Sequence, residues 1–142
     1  MKFFAPFAFF ASLAAVSAQS VDIASPVAGT SVHAGGSLNV EIDRPNSLEG
    51  STEVALVIGF ESCPTYPCYP AAGGMGTVLY NGPYNPQYQA SAPHLPPHQN
   101  FTVTIPSTAA KGTAQLNVAH VALTGAGLAA FLQTLNVTLT VV

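Results

Sequence analysis

Apolar and polar residues alternate along several short segments of this chain, and this period of two predicts β-strands with one buried and one exposed face. In residues 100–105, Phe101, Val103 and Ile105 share one face, while Asn and Thr occupy the other. Residues 135–141 repeat the pattern, with Leu and Val alternating with Asn and Thr. Both segments are therefore predicted to cover a core and to keep their polar side chains in solvent.

Other segments extend this all-β pattern. Residues 38–43 alternate in the same way, whereas residues 53–60 are apolar on both faces, which indicates a central strand. The further predicted strands are residues 21–24, 77–80 and 113–123. Ala28-Gly29-Thr30 is turn-prone, and residues 125–133 are predicted to form one helical turn or a loose connection. Seven turn-separated strands predict a single antiparallel β-sandwich of immunoglobulin or fibronectin type.

The N-terminus has the pattern of a secretory signal peptide. Lys2 precedes an apolar run over residues 3–16, and Val16-Ser17-Ala18 places small residues where a signal peptidase cuts. The run is shorter than the roughly twenty residues that a membrane-spanning helix needs, so a retained anchor is the weaker interpretation. We therefore predict a cleaved signal peptide over residues 1–18 and a secreted, extracellular domain over residues 19–142.

Charge is sparse, since only 6% of the residues are Asp, Glu, Lys or Arg. Beyond the signal peptide, Arg44 and Lys111 are the basic residues. Two cations cannot neutralise the several phosphates on which nucleic-acid binding depends, and they attract an anionic membrane equally poorly. We expect a monomer that binds neither nucleic acid nor membrane.

Cys63 and Cys68 lie close together in Cys-Pro-Thr-Tyr-Pro-Cys. Because a secreted chain meets an oxidising environment, a disulfide between them is predicted. So small a ring removes only about 2 kcal/mol of unfolded-chain freedom, so its role is to shape a local loop. Zinc is the alternative, but two thiols without a neighbouring histidine fall short of four ligands. No metal site is predicted.

Two N-glycosylation signals provide a check on which face of each predicted strand is exposed to solvent. Asn100-Phe101-Thr102 and Asn136-Val137-Thr138 match the acceptor pattern, and a glycan requires an asparagine in solvent. The alternation already places Asn100 and Asn136 on exposed faces. Glycosylation at both is predicted for a eukaryotic secretory source.

Tyrosine and proline cluster between residues 63 and 97, which hold all five tyrosines and eight of the twelve prolines. Proline-stiffened loops present side chains at low entropic cost, and tyrosine combines a broad ring with a polar tip. The predicted partner-binding residues are Tyr66, Tyr69, Tyr84 and Tyr88, and the most exposed are expected to be Tyr69, Tyr84 and Tyr88. The alternative is that these rings only pin long loops onto the sandwich. A sugar platform is less favoured because the chain lacks tryptophan.

No catalytic set emerges from the ionisable residues, and we predict no enzymatic activity and no cofactor. His94 and His98 flank Pro96-Pro97, which forbids the helix that would align them as metal ligands. His120 shares a strand face with apolar neighbours and is interpreted as a hydrogen-bonded core residue, with a catalytic base as the alternative. Glu41 and Asp43 share a strand face that is predicted to be solvent-exposed, where charged side chains favour solubility.

The C-terminal half resembles a known family, the fungal necrosis-inducing secreted proteins, which are small apoplastic effectors. The segments that carry the resemblance are residues 76–84, 100–106, 111–123, 125–127 and 136–139. The resemblance implies an effector without catalytic residues that suppresses host immune signalling by contacting receptor-associated kinases. The Cys63–Cys68 segment and the Tyr/Pro-rich stretch after Gly82 match no motif of that family.

A second resemblance concerns the N-terminal part. Residues 24–38 are similar to the opening of fungal cell-wall modules that take part in β-1,6-glucan assembly. Those modules show a tryptophan soon afterwards and a Ser/Thr-rich anchored tail, and this chain shows neither. A cell-wall polysaccharide partner is therefore the alternative to a protein partner, and a secreted enzyme is a third, weaker one.

Overall fold

Eight strands make up the described part of the chain, which in this computed structural model comprises residues 20–46 and 50–142. They are β1 (Asp22–Ser25), β2 (Thr30–Val32), β3 (Ser37–Asp43), β4 (Ser51–Ser62), β5 (Thr77–Gly82), β6 (His98–Thr104), β7 (Gly112–Thr124) and β8 (Ala129–Val141). The predicted signal peptide, residues 1–18, lies outside the described residues. Within residues 20–46 and 50–142 there is no helix long and apolar enough to span a membrane.

The strands form two sheets, one with the order β1-β3-β6 and the other with the order β2-β8-β7-β4-β5. Neighbouring strands are antiparallel except for β2, which pairs in parallel with β8. The predicted all-β sandwich is confirmed. β4 lies between β7 and β5, as its two apolar faces indicate.

The core lies between the two sheets, and the alternation decides which residues enter it. On β6, Phe101 and Val103 are buried, whereas Asn100 and Thr102 are exposed. On β7, Leu116 and Val118 face them from the five-stranded sheet and are fully buried. Each such aliphatic or aromatic side chain stabilises the fold by about 1.5–3 kcal/mol on burial.

Two expectations about local structure change. Thr30 was expected in a turn and no strand was predicted there, but the turn comprises Ala28 and Gly29, and Thr30 begins β2. A strand of three residues is too short to show a period of two in the sequence. The helical turn or loose connection expected over residues 125–133 is wrong. Residues 129–133 belong to β8 and pair with the end of β7, so only residues 125–128 form the turn of a long hairpin.

The tyrosine-rich region falls into two connections at opposite ends of the sandwich. Residues 63–76, here called the disulfide loop, join β4 to β5, and residues 83–97, here called the amide loop, join β5 to β6. The disulfide loop leads into the start of β5, and the amide loop follows its end. The two loops are therefore separated by about the length of that strand.

Candidate functional site

The four tyrosines predicted to bind a partner do not share one surface. Tyr66 and Tyr69 lie on the disulfide loop and are 78% and 70% exposed. Tyr88 lies on the amide loop at the other end of the sandwich, is 60% exposed and donates a hydrogen bond to Asn46. The structure thus brings together only Tyr66 and Tyr69.

Tyr84 corrects the prediction of exposure, because it is only 3% exposed. Its ring lies among the core side chains, 5.6 Å from the ring of His120, and its hydroxyl donates a hydrogen bond of 3.1 Å to the carbonyl oxygen of Ile42. Burial, followed by the negative charge of Glu53, raises the pKa of Tyr84 above its ordinary value of 10.0. Tyr84 therefore fastens the start of the amide loop to the core and offers no contact surface.

The disulfide loop is closed at its start by the bond between Cys63 and Cys68, whose Cα atoms lie 5.2 Å apart. The predicted disulfide is confirmed, and it uses both thiols that a zinc ion would need. The backbone N–H of Cys63 also donates to the carbonyl oxygen of Thr113, which continues the pairing of β4 with β7. The ring that carries Tyr66 is thereby tied to the sheet.

Two polar side chains of β7 hold the rest of this loop against the outer face of the five-stranded sheet. Gln115 Nε2 donates to the carbonyl oxygen of Tyr69 at 2.8 Å and to Asn117 Oδ1 at 2.7 Å. Asn117 Nδ2 in turn donates to the carbonyl oxygen of Gly74 at 3.3 Å. Both side chains are buried under the loop, so they position the backbone next to Tyr69.

A glycine allows the loop to lie this close. A Cβ on Gly59, toward the end of β4, would overlap the carbonyl oxygen of Met75. Gly76 ends the loop with φ +67°, a conformation that glycine adopts without strain. A shallow crevice of about 290 Å³ lies beside this anchor and is lined by Glu61, Tyr69 and the loop glycines.

A buried ion cluster lies at the other end of the sandwich. Glu53 accepts from Arg44 Nε at 2.9 Å and from the hydroxyl of Ser51 at 3.1 Å, and its other oxygen is bonded to Nε2 of His120. His120 is fully buried, so its interpretation as a hydrogen-bonded core histidine is confirmed. Burial raises the pKa of Glu53, but the hydrogen bonds from His120, Arg44 and Ser51 outweigh it, so the pKa lies below 4.5.

Among the other histidines and carboxylates singled out in the sequence, His98 is the cross-strand partner of Asp43, and Glu41 lies near enough to influence the same carboxylate. His94 is exposed on the amide loop, whereas His98 is buried and its Nδ1 lies 2.9 Å from the carbonyl oxygen of Pro96. Burial, then the nearby charge of Glu41, raises the pKa of Asp43. Within residues 20–46 and 50–142, no three His, Cys, Asp or Glu side chains group closely enough to hold a metal ion.

Both asparagines of the glycosylation signals are exposed, as the alternation predicts. Asn100 lies on the outer face of the three-stranded sheet, and Asn136 lies on the outer face of the five-stranded sheet. Their glycosylation itself stays a prediction.

A row of amides on the amide loop is a feature that the strand pattern did not predict. From Tyr84 to Gln89 the chain runs extended, and Asn85, Gln87 and Gln89 line a polar groove while Tyr84 and Tyr88 point elsewhere. The signal was available in the sequence, since amides occupy every second position of this segment.

The model of the Nis1 family matches residues 16–140. The chain belongs to the Nis1 family. The match includes the N-terminal segment that resembles cell-wall modules and the C-terminal half that resembles necrosis-inducing proteins. Family membership names no activity, so the effector role stays a prediction. Comparison with curated proteins found no match.

Solved structures share the sandwich of this Nis1-family protein. It is similar to "Superoxide reductase (Neelaredoxin) from Ignicoccus hospitalis", with a TM-score of 0.51 and 13% identity over 87% of this chain and 81% of that chain. It is also similar to a structure described as "Structures of Clostridium thermocellum CbhA fibronectin(III)-like modules", with a TM-score of 0.44 and 13% identity over 86% of this chain and 96% of that chain.

The first of these likenesses contradicts the prediction of no enzymatic activity. A superoxide reductase is an enzyme, so a sandwich of this kind does not exclude catalysis. At 13% identity the likeness shows the fold alone and assigns no reaction to this Nis1-family protein.

Proposed function

We propose that the protein is secreted and acts as an effector that contacts a protein partner through Tyr66 and Tyr69 of the disulfide loop. The observation that carries the proposal is the exposure of these two rings on a loop whose backbone is fixed. Aromatic side chains held in this way lose little conformational entropy on binding, which favours affinity.

The anchoring of the loop supports a role in recognition rather than simple packing. A loop that needs its tyrosines for its own attachment buries them, as the amide loop buries Tyr84. The disulfide loop instead attaches through backbone carbonyls and through Ala71, which is buried, and it leaves both rings in solvent. Its prolines, Pro64, Pro67 and Pro70, restrict the backbone further.

The partner that we propose is a host receptor-associated kinase, and the consequence is weaker immune signalling. This follows the resemblance to apoplastic effectors. The charges of the protein agree with a contact made by ring surface and hydrogen bonds, since residues 63–76 contain no ionisable side chain other than tyrosine and the disulfide cysteines. Binding of this kind depends little on ionic strength.

The test is a double variant, Tyr66→Ala with Tyr69→Ala, expressed in leaf tissue challenged with an immune elicitor. Wild-type protein is expected to lower the oxidative burst and to co-purify with a receptor-associated kinase, and the double variant is expected to lose both effects. Tyr88→Ala is the matched control, because it removes an exposed ring at the opposite end of the sandwich. Full suppression by the double variant would refute the proposal.

A retained fold must accompany the loss of activity. Neither ring has a side-chain hydrogen bond among the described residues, so the double variant is expected to unfold at the same urea concentration as wild type. Retention of wild-type protein on insoluble β-1,6-glucan, together with an unchanged oxidative burst, would favour the cell-wall alternative instead.

A further inference from the structure

A polar groove of about 550 Å³ lies between the amide loop and the outer face of the three-stranded sheet, far from the disulfide loop. Its volume falls within the about 300–1,000 Å³ that small-molecule sites occupy. The principal polar side chains that line it are Glu41, Asn85, Gln87, Gln89, Gln99 and Asn100.

The groove is built on a fixed frame. The backbones of Gln87 and His98 exchange two hydrogen bonds, of 3.0 and 3.1 Å, so the loop runs alongside the free edge of β6. The side chain of Gln99 accepts from the backbone N–H of Asn85 at 2.7 Å, and Gln87 Nε2 donates to Asn85 Oδ1 at 2.9 Å. Asn85, Gln87 and Gln99 are therefore held in place by hydrogen bonds within the groove.

The composition of the lining selects the chemistry of the ligand. An amide both donates and accepts hydrogen bonds, as do the hydroxyl and acetamido groups of a neutral sugar. No lysine or arginine lines the groove, and Glu41 adds a negative charge, so anionic ligands are disfavoured. Ala92 and Leu95 add an apolar patch that suits an acetamido methyl group.

Asn100 supplies a second, independent pointer to sugar. It is the acceptor asparagine of a glycosylation signal, it is exposed, and it also lines this groove. A glycan on Asn100 thus begins at the wall of a cleft made of amides. The first two sugars of an N-glycan are β-1,4-linked N-acetylglucosamine, the same unit that chitin repeats.

We propose that this groove binds β-1,4-linked N-acetylglucosamine, supplied either by the glycan of Asn100 itself or by a free oligosaccharide. Gln87 and Gln89 hydrogen-bond the sugar hydroxyl and acetamido groups, and Leu95 packs against the acetamido methyl. The site is distinct from the disulfide loop, so it stands or falls independently of the proposed effector contact.

The experiment titrates triacetylchitotriose into protein made in a host that does not glycosylate, followed by amide chemical shifts. We expect shifts confined to the groove and, in Gln87→Ala with Gln89→Ala, an affinity lower by about tenfold or more, since each lost hydrogen bond contributes about 0.5–1.5 kcal/mol. Thr104→Ala, on the same outer face but outside the groove, is the matched control. A β-glucan trisaccharide without acetamido groups is expected to bind more weakly.

Protein glycosylated at Asn100 separates the two sources. Loss of triacetylchitotriose binding in this form, restored by Thr102→Ala but not by Thr138→Ala, shows that the chain's own glycan fills the groove, because Thr102→Ala removes the signal at Asn100 without changing a residue that lines the groove. Unchanged binding in the glycosylated form shows that the groove serves a free oligosaccharide. The proposal is overturned if unglycosylated protein gives no shifts at millimolar triacetylchitotriose, or if the Gln87 and Gln89 substitutions leave the affinity unchanged.

Discussion

Glu53 joins three side chains at the amide-loop end of the sandwich. Its carboxylate bonds Arg44, Ser51 and His120 at once, and the side chains of Arg44, Glu53 and His120 are 10%, 15% and 0% exposed. Replacing Glu53 with alanine removes the acceptor that a guanidinium and an imidazole share. Arg44 keeps its bonds to the carbonyl oxygen of Pro45 and to Ser51 Oγ beside a surface pocket, but the fully buried His120 loses the partner of its Nε2.

The magnitude follows from the burial of the partners. Removing one partner of a buried ion pair costs about 3–5 kcal/mol, because the remaining charge is left uncompensated. This is a large part of the about 5–15 kcal/mol that stabilises a domain. Glu53→Gln keeps the volume and one acceptor oxygen, so it is expected to lose only about 1–2 kcal/mol.

Urea unfolding at neutral pH is the assay. With a slope of about 1–3 kcal/mol per molar urea, Glu53→Ala is expected to lower the midpoint by about 2 M. Glu61→Ala is the matched control, since Glu61 lies on the other face of the same strand. That variant is expected to stay within about 0.5 kcal/mol of wild type. A loss below about 1 kcal/mol for Glu53→Ala would refute the reasoning.

The pH dependence of stability gives an independent check. Burial raises the pKa of Glu53, but its hydrogen bonds lower it further, so the folded pKa lies below the ordinary value of 4.5. The unfolded state therefore binds the proton first, and the stabilisation is complete above pH 4.5 and is lost as the pH falls through the folded pKa. The stability difference between wild type and Glu53→Gln should shrink below pH 4.5. A difference that stays constant on acidification contradicts the assignment.

Three further variants test the packing of the two loops by urea unfolding. Gly59→Ala is expected to cost about 1–3 kcal/mol, because its Cβ overlaps the carbonyl oxygen of Met75, and wild-type stability would disprove that contact. Tyr84→Phe is expected to cost about 1 kcal/mol through its lost hydrogen bond, and a neutral result would place the hydroxyl in water. Cys63→Ser with Cys68→Ser is expected to cost about 2 kcal/mol, whereas global unfolding would contradict a purely local role.

The strands were predictable wherever alternation persists over several residues. In β6, burial repeats at Phe101 and Val103 because a register shift of one residue would bring Asn100 and Thr102 into the core. The same pattern places Asn136 in solvent on β8. Strand β2 was not predictable, since its pairing with β8 joins residues that are distant in the sequence.

The ion cluster was not predictable because its members come from three separate places. Arg44 follows β3 of the three-stranded sheet, whereas Glu53 lies near the start of β4 and His120 lies on β7 of the five-stranded sheet. Both the pairing of β4 with β7 and the packing of the two sheets are needed to bring them together. Tyr84 was misassigned for a related reason. Its position in a proline-rich loop suggested exposure. In the structure, side chains alternate along residues 84–89, so that Tyr84 enters the core while Asn85, Gln87 and Gln89 line the groove.

The burial of Gln115 and Asn117 shows that alternation alone does not determine whether a residue on the outer face of a sheet is exposed or covered by a loop. Both lie on the outer face of β7, and their polarity agrees with a solvent-facing position. Asn136 is the cross-strand partner of Asn117 and is exposed, so the strand pattern alone gives both residues the same environment. The difference is Gly59, which pairs with Asn117 from the other side. A glycine in a central strand signals that another segment approaches closely, so Gly59 and Asn117 together indicate that the disulfide loop folds back over β4 and β7.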